Sequence, residues 1–392
     1  MHDPIVIVGL ARTPIGGLLG NLSHHNASDL GGVAIKAALA NSDLSASAVD
    51  AVIMGNVLSA GQGQAPARQA AIKAGLPVSV EATTINKMCG SGMQAVIFAA
   101  NMIQAGHAKI VIAGGMESMS NAPHLLKTHR TGVKYGHDRL LDHMAVDGLE
   151  DAYEGLPMGV YADRIATRYQ FTREAQDAYA LKTLARAQAA ITSGAFQREI
   201  APVISKGRDG DSICDTDELP TKAKPDKIPG LKPAFSPDGT VTAANASAIS
   251  DGAAALMLMA RSEAQARGLK ILATLVSSAG YADEPALFTT APVFAIKKAL
   301  LAAGWESDDA DLYEINEAFA VVPMIAMQEL SIPHSKVNVN GGACALGHPI
   351  GASGARILVT LICALQARGL KRGVASLCIG GGEATAICLE LA

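Results

Sequence analysis

Aromatic side chains are scarce in this chain, with seven Phe, seven Tyr and one Trp among 392 residues, 4% in all. Packing must therefore fall to Ala, Val, Ile, Leu and Gly, which suits buried strands and closely approaching helices. Charged residues, at 17%, are fewer than in an average soluble protein. The net charge of −4 supplies no global basic field for nucleic acid or an anionic membrane, so an anionic substrate would need a local basic patch. No segment offers the run of about 20 uncharged apolar residues that a membrane span requires. The opening MHDPIVIVGL lacks a basic stretch followed by an apolar core, so no signal peptide is expected and the chain reads as a cytoplasmic, bacterial-type enzyme. Six cysteines without paired spacing are expected to be reduced thiols, packed or catalytic.

What is present is a repeat. Cys89-Gly-Ser-Gly and Gly351-Ala-Ser-Gly each open a helix-like apolar stretch, and these stretches end at Gly106 and Gly369, the expected stop signals. Upstream, Asp50-Ala-Val-Ile-Met resembles Asp311-Leu-Tyr-Glu-Ile. Downstream, Ile110-Val-Ile-Ala-Gly-Gly matches Ala375-Ser-Leu-Cys-Ile-Gly-Gly. Four similarities in order at a near-constant offset mark a duplication. Each half begins with a buried-strand run, Ile5–Val8 or Ala273–Val276, and strands alternate with helices as in an α/β fold. The second half runs from its glycines almost directly into a last strand, Ala384–Leu389. The first half reaches the counterpart, Ala253–Met259, only after an excursion from about Ser118 to Ala248. That insertion contains a predicted long polar helix, 162–191, and an irregular Pro/Lys-rich stretch, 219–233. Ligands of such sheets gather at the carboxyl ends of the strands, where the Gly-rich turns fall.

Three segments could carry chemistry there. In Asn86-Lys-Met-Cys-Gly-Ser-Gly a strand gives way to a helix, so Cys89 sits where backbone N–H groups and the helix dipole favour thiolate. A nucleophilic thiol needs that help or a neighbouring base, and the alternative is a buried small hydrophobe. His348 lies in Asn340-Gly-Gly-Ala-Cys-Ala-Leu-Gly-His-Pro-Ile-Gly-Ala-Ser-Gly, a tight loop whose backbone can approach a ligand closely. In Leu377-Cys-Ile-Gly-Gly-Gly, Cys378 stands at a strand end beside glycine amides able to face a developing negative charge. Asn316 adds a neutral donor at the equivalent strand end of the second half.

Asn-x-x-Cys-Gly-Ser-Gly, Asn-Glu-Ala-Phe-Ala, Gly-His-Pro-x-Gly-x-Ser-Gly-Ala-Arg and Cys-x-Gly-Gly-Gly, in this order, resemble the motifs of the thiolase family. Val8-Gly-Leu-Ala-Arg-Thr-Pro-Ile-Gly, Gly114-Gly-Met-Glu-Ser-Met-Ser and Gly239-Thr-Val-Thr-Ala-Ala-Asn-Ala-Ser extend the likeness over essentially the whole chain. The resemblance implies an α/β thiolase fold of two duplicated five-stranded α/β/α halves with an inserted loop domain. The divisions are then 1–119 for the N-terminal half (completed by 249–270), 120–248 for the insertion and 271–392 for the C-terminal half. It implies an acetyl-CoA C-acetyltransferase in which Cys89 attacks an acyl thioester and His348 draws its proton. Cys378 moves the α-proton, His348 and a water held by Asn316 form one oxyanion hole, and the Cys89 and Gly380 amides form another. By the same resemblance Ser247, Ala243, Phe235, Met158, Ala318, Phe319 and Phe288 bind the pantetheine and acyl groups. No tightly bound cofactor is implied: coenzyme A and acyl-CoA are substrates, and a homotetramer built as a dimer of dimers is the expected assembly, without nucleic-acid or membrane partners. Lys222, Lys224, Lys227 and Lys232 are candidates as a group for the nucleotide phosphates, against the alternative of a solvated loop.

His124, His129, His137 and His143 match no compact metal-ligand spacing, so no metal site is expected. No nucleotide-binding glycine motif follows a strand. Pro157 stands where short-chain members of the family usually carry His, and Phe288 where Met is commoner, which leaves a degradative 3-ketoacyl-CoA thiolase of broader chain length as the alternative. A ketoacyl synthase would place a second His where Cys378 stands. A silent CoA-binding or structural paralogue should have lost a catalytic residue, and none is missing.

Overall fold

A computed structural model describes residues 3–206 and 210–392. The main strands are β1 (Ile5–Arg12), β2 (Ala51–Gly55), β3 (Glu81–Ile85), β4 (Ile110–Ser118), β5 (Ser250–Ala260), β6 (Ala273–Ala282), β7 (Leu312–Ile315), β8 (Arg372–Ile379) and β9 (Glu383–Leu391). They lie in one sheet in the order β7-β8-β9-β6-β1-β5-β4-β2-β3, with the two-residue strand Gly16–Gly17 beside β5. From β1 outward the first half runs β5, β4, β2, β3, and from β6 outward the second runs β9, β8, β7, so the duplication is visible in the topology. The pairs β2–β4, β2–β3 and β7–β8 are parallel. The halves meet along β1 and β6, which pair antiparallel from Ile5–Leu275 to Ile7–Ala273.

The repeat extends to individual hydrogen bonds. Asp50 Oδ2 accepts from the Lys109 and Ile110 amides at 2.7 and 2.9 Å. Asp311 Oδ2 accepts from the Lys371 and Arg372 amides, both at 2.9 Å. In each half this carboxylate ties the start of one parallel strand to the start of its neighbour.

The fifth strand expected in the second half is reduced to a single bridge, Tyr313 to Val337. Asn338 supplies the physical reason. Its backbone turns into the left-handed region (φ 47°), and its side chain accepts from the Ile315 amide and donates to the Ile315 carbonyl, both at 2.8 Å. A side chain thus occupies the backbone groups that a further ladder would use.

Helices α3 (Ser91–Gln104) and α8 (Ser353–Arg368) pack against each other between the halves, and every residue of α8 from Ser353 to Leu365 is buried. A helix apolar on all sides belongs inside a core, and this one shares its cluster with Ile5, Ile7, Leu256, Leu377 and Leu389. The alternate residues Val6, Val8, Ile112 and Met257 face α1 (Ala27–Ala40) and α2 (Pro66–Lys73). On the second half, α6 (Ala291–Ala303) and α7 (Val321–Leu330) cover Val374, Ala384 and Ala386. Strands buried on both faces explain why their sequences are continuous apolar runs.

Between β4 and β5 the chain leaves the sheet. The predicted helix 162–191 is two helices, α4 (Met158–Arg168) and α5 (Arg173–Thr192). Gln170 adopts φ 58°, and Thr172 caps α5 by accepting from the Ala175 amide at 3.1 Å. The threonine competes locally with continuation of the helix, as N-cap residues do. Arg12 of β1 anchors the insertion by binding Glu199 at 2.6 Å and Asp217 through two nitrogens at 2.7 and 2.9 Å, all three side chains buried. A bidentate buried pair of this kind fixes geometry as well as charge.

Candidate active site

Cys89 stands on a tight elbow between β3 and α3. Met88 is held at φ 46°, unusual for a residue with a side chain, and such strain persists only where neighbours enforce it. They do: the Gly90 amide donates to the Lys87 carbonyl at 3.0 Å, and the Ser91 hydroxyl donates to the Met88 carbonyl at 2.6 Å while accepting from the Lys87 amide at 2.8 Å. Gly90 packs closely here, since a Cβ there would lie 2.3 Å from Ile379 Cδ1 and would have to displace that side chain.

The elbow opens into a cavity of about 400 Å³ whose walls include Cys89, His348, Cys378 and Gly380. All seven predicted binding residues, Ser247, Ala243, Phe235, Met158, Ala318, Phe319 and Phe288, line the same cavity. Phe319 meets Phe235 and Phe288 edge-on, with ring centres 6.0 and 6.2 Å apart. Met119, Leu149, Ile249 and Ile350 also line it and were not singled out in the sequence. Apolar residues of this kind carry no local signal distinguishing a pocket wall from core. Asn316 is not in the wall. It lies behind His348, its Nδ2 3.5 Å from both ring nitrogens, while its Oδ1 accepts from Arg356 Nη2 at 3.5 Å.

Burial decides the state of the Cys89 thiol. Burial pushes its pKa up to about 11, against the Gly380 and Cys89 amides, which pull it down, while the Glu117 carboxylate adds to the rise. Burial holds His348 down to about 3, helped by the Arg356 guanidinium. Cys378 is raised well above the ordinary thiol range by burial and by the neighbouring Cys89. The resting site therefore contains two protonated thiols and a neutral imidazole. Desolvation opposes every charged form here.

Residues to which the sequence assigned no role hold the site in shape. The His348 amide donates to the Ala248 carbonyl of the insertion at 3.0 Å. Glu117, at the end of β4, accepts from Asn56 Nδ2 at 2.6 Å and from the Val57, Leu58 and Gly351 amides at 3.0, 3.1 and 2.9 Å. Lys222, Lys224 and Lys227 line a second cavity of about 340 Å³ that shares Ala243 and Ala248 with the first, whereas Lys232 lies outside its wall. Among the described residues, no group of three or more His, Cys, Asp or Glu could hold a metal ion, and no helix is long and apolar enough to cross a membrane.

Two thiols and a neutral histidine gathered in one cavity between two duplicated α/β halves are the kind of arrangement that acyl transfer uses. Comparison with known proteins agrees: residues 5–262 match the thiolase N-terminal domain and residues 269–391 the thiolase C-terminal domain, so the chain belongs to the thiolase family. It is 51% identical over 388 residues to an acetyl-CoA acetyltransferase of Cupriavidus necator, covering 98% of this chain and 99% of that one. It is 52% identical over 390 residues to acetyl-CoA acetyltransferase 2 of Arabidopsis thaliana, covering 99% and 97%. The crystal structure of the Bacillus anthracis acetyl-CoA acetyltransferase superposes with a TM-score of 0.97 at 40% identity, covering 100% of this chain and 99% of that one. A thiolase from Ascaris suum, solved in complex with coenzyme A, gives 0.94 at 44% identity with both chains fully covered.

Proposed function

We propose that this protein is an acetyl-CoA acetyltransferase that joins two acetyl-CoA molecules into acetoacetyl-CoA and coenzyme A, and catalyses the reverse thiolysis. The observation that carries this is the meeting of Cys89, His348, Cys378 and Gly380 in one largely apolar cavity. The curated relatives named acetyl-CoA acetyltransferase match over nearly the whole chain and support it.

Resting protonation states suit the first half-reaction. Neutral His348 takes the Cys89 proton as sulfur attacks the thioester carbonyl, and the Cys378 thiol protonates the departing coenzyme A sulfur. Cys378 is then the thiolate that removes an α-proton from the second acetyl-CoA. The resulting enolate attacks acetyl-Cys89, and the imidazolium of His348 returns its proton to the departing Cys89 sulfur. Two proton transfers at different atoms thus use two titratable groups. The Cys89 and Gly380 amides face the Cys89 sulfur, so they serve the oxygen of the acyl group carried there. His348, backed by Asn316, serves the enolate oxygen. One such preorganised donor typically lowers a barrier by about 2.7–4 kcal/mol.

Lys222, Lys224 and Lys227 provide the local basic patch that the coenzyme A nucleotide needs. We assign 1–119 with 249–270, 120–248 and 271–392 as N-terminal half, loop domain and C-terminal half, and propose a cytoplasmic homotetramer. Pro157 in place of a polar donor favours some tolerance for longer or 2-methyl-branched 3-ketoacyl-CoA. The test is CoA-dependent loss of the enolate absorbance of acetoacetyl-CoA, repeated with six- and eight-carbon substrates. Turnover with the four-carbon substrate preferred supports the proposal. A preference of several orders of magnitude for eight carbons would replace it with a general 3-ketoacyl-CoA thiolase.

A further inference from the structure

Resting on the acetyl-Cys89 chemistry just proposed, we propose that Lys87 and Glu383 are positioning residues that hold the two amides of the Cys89/Gly380 oxyanion hole at a working separation. Those amides come from different halves of the molecule. The Cys89 amide belongs to the elbow after β3. The Gly380 amide belongs to the glycine turn that joins β8 to β9, with Gly381 and Gly382 at φ 94° and 89°. A hole assembled from two separately supported loops needs a tie between them, because donors act only when aimed at the oxygen in advance.

Lys87 Nζ and Glu383 Oε2 form that tie. Lys87 is the base of the elbow: its carbonyl accepts from the Gly90 amide and its amide donates to Ser91. Glu383 is the base of the glycine turn, in register opposite Ile379. The ion pair therefore joins the two points from which the amide-bearing loops spring. Apolar contact completes the clamp, with Ile379 against Gly90 and Met88 near Gly380. The paired side chains are 29% and 36% exposed, so screening leaves them little weight in global stability. Their effect is local and geometric.

The experiment uses the full chain as wild type, Lys87→Met, Glu383→Gln and the swapped double variant Lys87→Glu/Glu383→Lys, each checked for folding by circular dichroism. Three rates are measured: acetyl exchange between coenzyme A and a coenzyme A analogue, solvent deuterium incorporation into the methyl of acetyl-CoA, and condensation with kcat and KM separated. Removing an oxyanion donor costs about 10²–10³ in rate, so displacing one without removing it is expected to cost less, about tenfold. Each single variant is expected to lose about tenfold in acetyl exchange and kcat with KM within about twofold. Deuterium incorporation, which uses the other hole, is expected to stay near wild type, and the swapped pair to regain most of the exchange. Single variants within twofold of wild type, equal loss of exchange and deuterium incorporation, or a raised KM for coenzyme A confined to Lys87→Met would each overturn the inference. Should Lys87→Met not fold, the near-isosteric Glu383→Gln carries the test. A wild-type enzyme that forms no acetyl-Cys89 would instead overturn the chemistry on which this rests.

Discussion

His348 Nδ1 lies 2.6 Å from the Ser353 hydroxyl oxygen, which in turn lies 3.0 Å from the Pro349 carbonyl. A carbonyl can only accept, so the hydroxyl proton is directed to Pro349 and the serine oxygen accepts from Nδ1–H. That leaves the unprotonated lone pair a general base requires on Nε2, with Asn316 Nδ2 3.5 Å away. Ser353→Ala should therefore lose about tenfold or more in kcat through mixed tautomers, with little change in KM. Steady-state kinetics check this, and nitrogen NMR of the imidazole should show loss of the single Nδ1–H form. An unchanged tautomer and kcat would assign Ser353 to the helix start alone.

Acid should destabilise the protein through His348. Its pKa is depressed from 6.5 to about 3 by burial, so the contribution is fully present above 6.5 and is lost as pH falls toward 3. At pH 5 that loss amounts to about 2 kcal/mol. Wild type should therefore lose stability between pH 7 and 5 faster than His348→Asn, measured by denaturant midpoints at each pH. Parallel losses would show that the imidazole is not held neutral by the fold.

Glu117→Ala should cost about 3–5 kcal/mol, because it strips the acceptor from three backbone amides and the Asn56 side chain in a buried site. Since Gly351 is one of those donors, acetyl transfer should fall as well. Glu117→Gln should be milder yet still destabilising, as its carbonyl oxygen accepts but its NH2 group cannot replace the second carboxylate oxygen as an acceptor. Urea unfolding of both variants separates these outcomes, and a stable Glu117→Ala would mean that water satisfies the donors.

Cys378→Ala should slow but keep measurable acetyl exchange between coenzyme A and an analogue, since coenzyme A can depart as its thiolate without the Cys378 proton and the step involves no α-proton. Condensation, thiolysis and deuterium incorporation at the acetyl methyl should all be lost. Retained incorporation at near the wild-type rate would remove Cys378 from proton transfer and leave His348 as the base.

The duplication was legible because each half repeats strand, turn and capping residues, down to Asp50 and Asp311. Cys89, His348 and Cys378 were legible because small residues surround them at strand ends and a helix start. Less visible were features created by tertiary competition. The Asn338 side chain displaces a strand, and Thr172 interrupts a helix whose periodicity runs on through it. Burial outweighs the backbone amides at Cys89. Glu117 and the Lys87–Glu383 pair join segments far apart in the chain, and nothing in either segment alone announces the partner.

The proposed chemistry depends on an acetyl group carried on Cys89. Incubation with labelled acetyl-CoA, digestion at low pH and mass spectrometry should place the label on Cys89, and Cys89→Ala should abolish it while leaving the fold intact. Label on Cys344, Cys363 or Cys388, with Cys89 unmodified, would show that Cys89 is not the nucleophile.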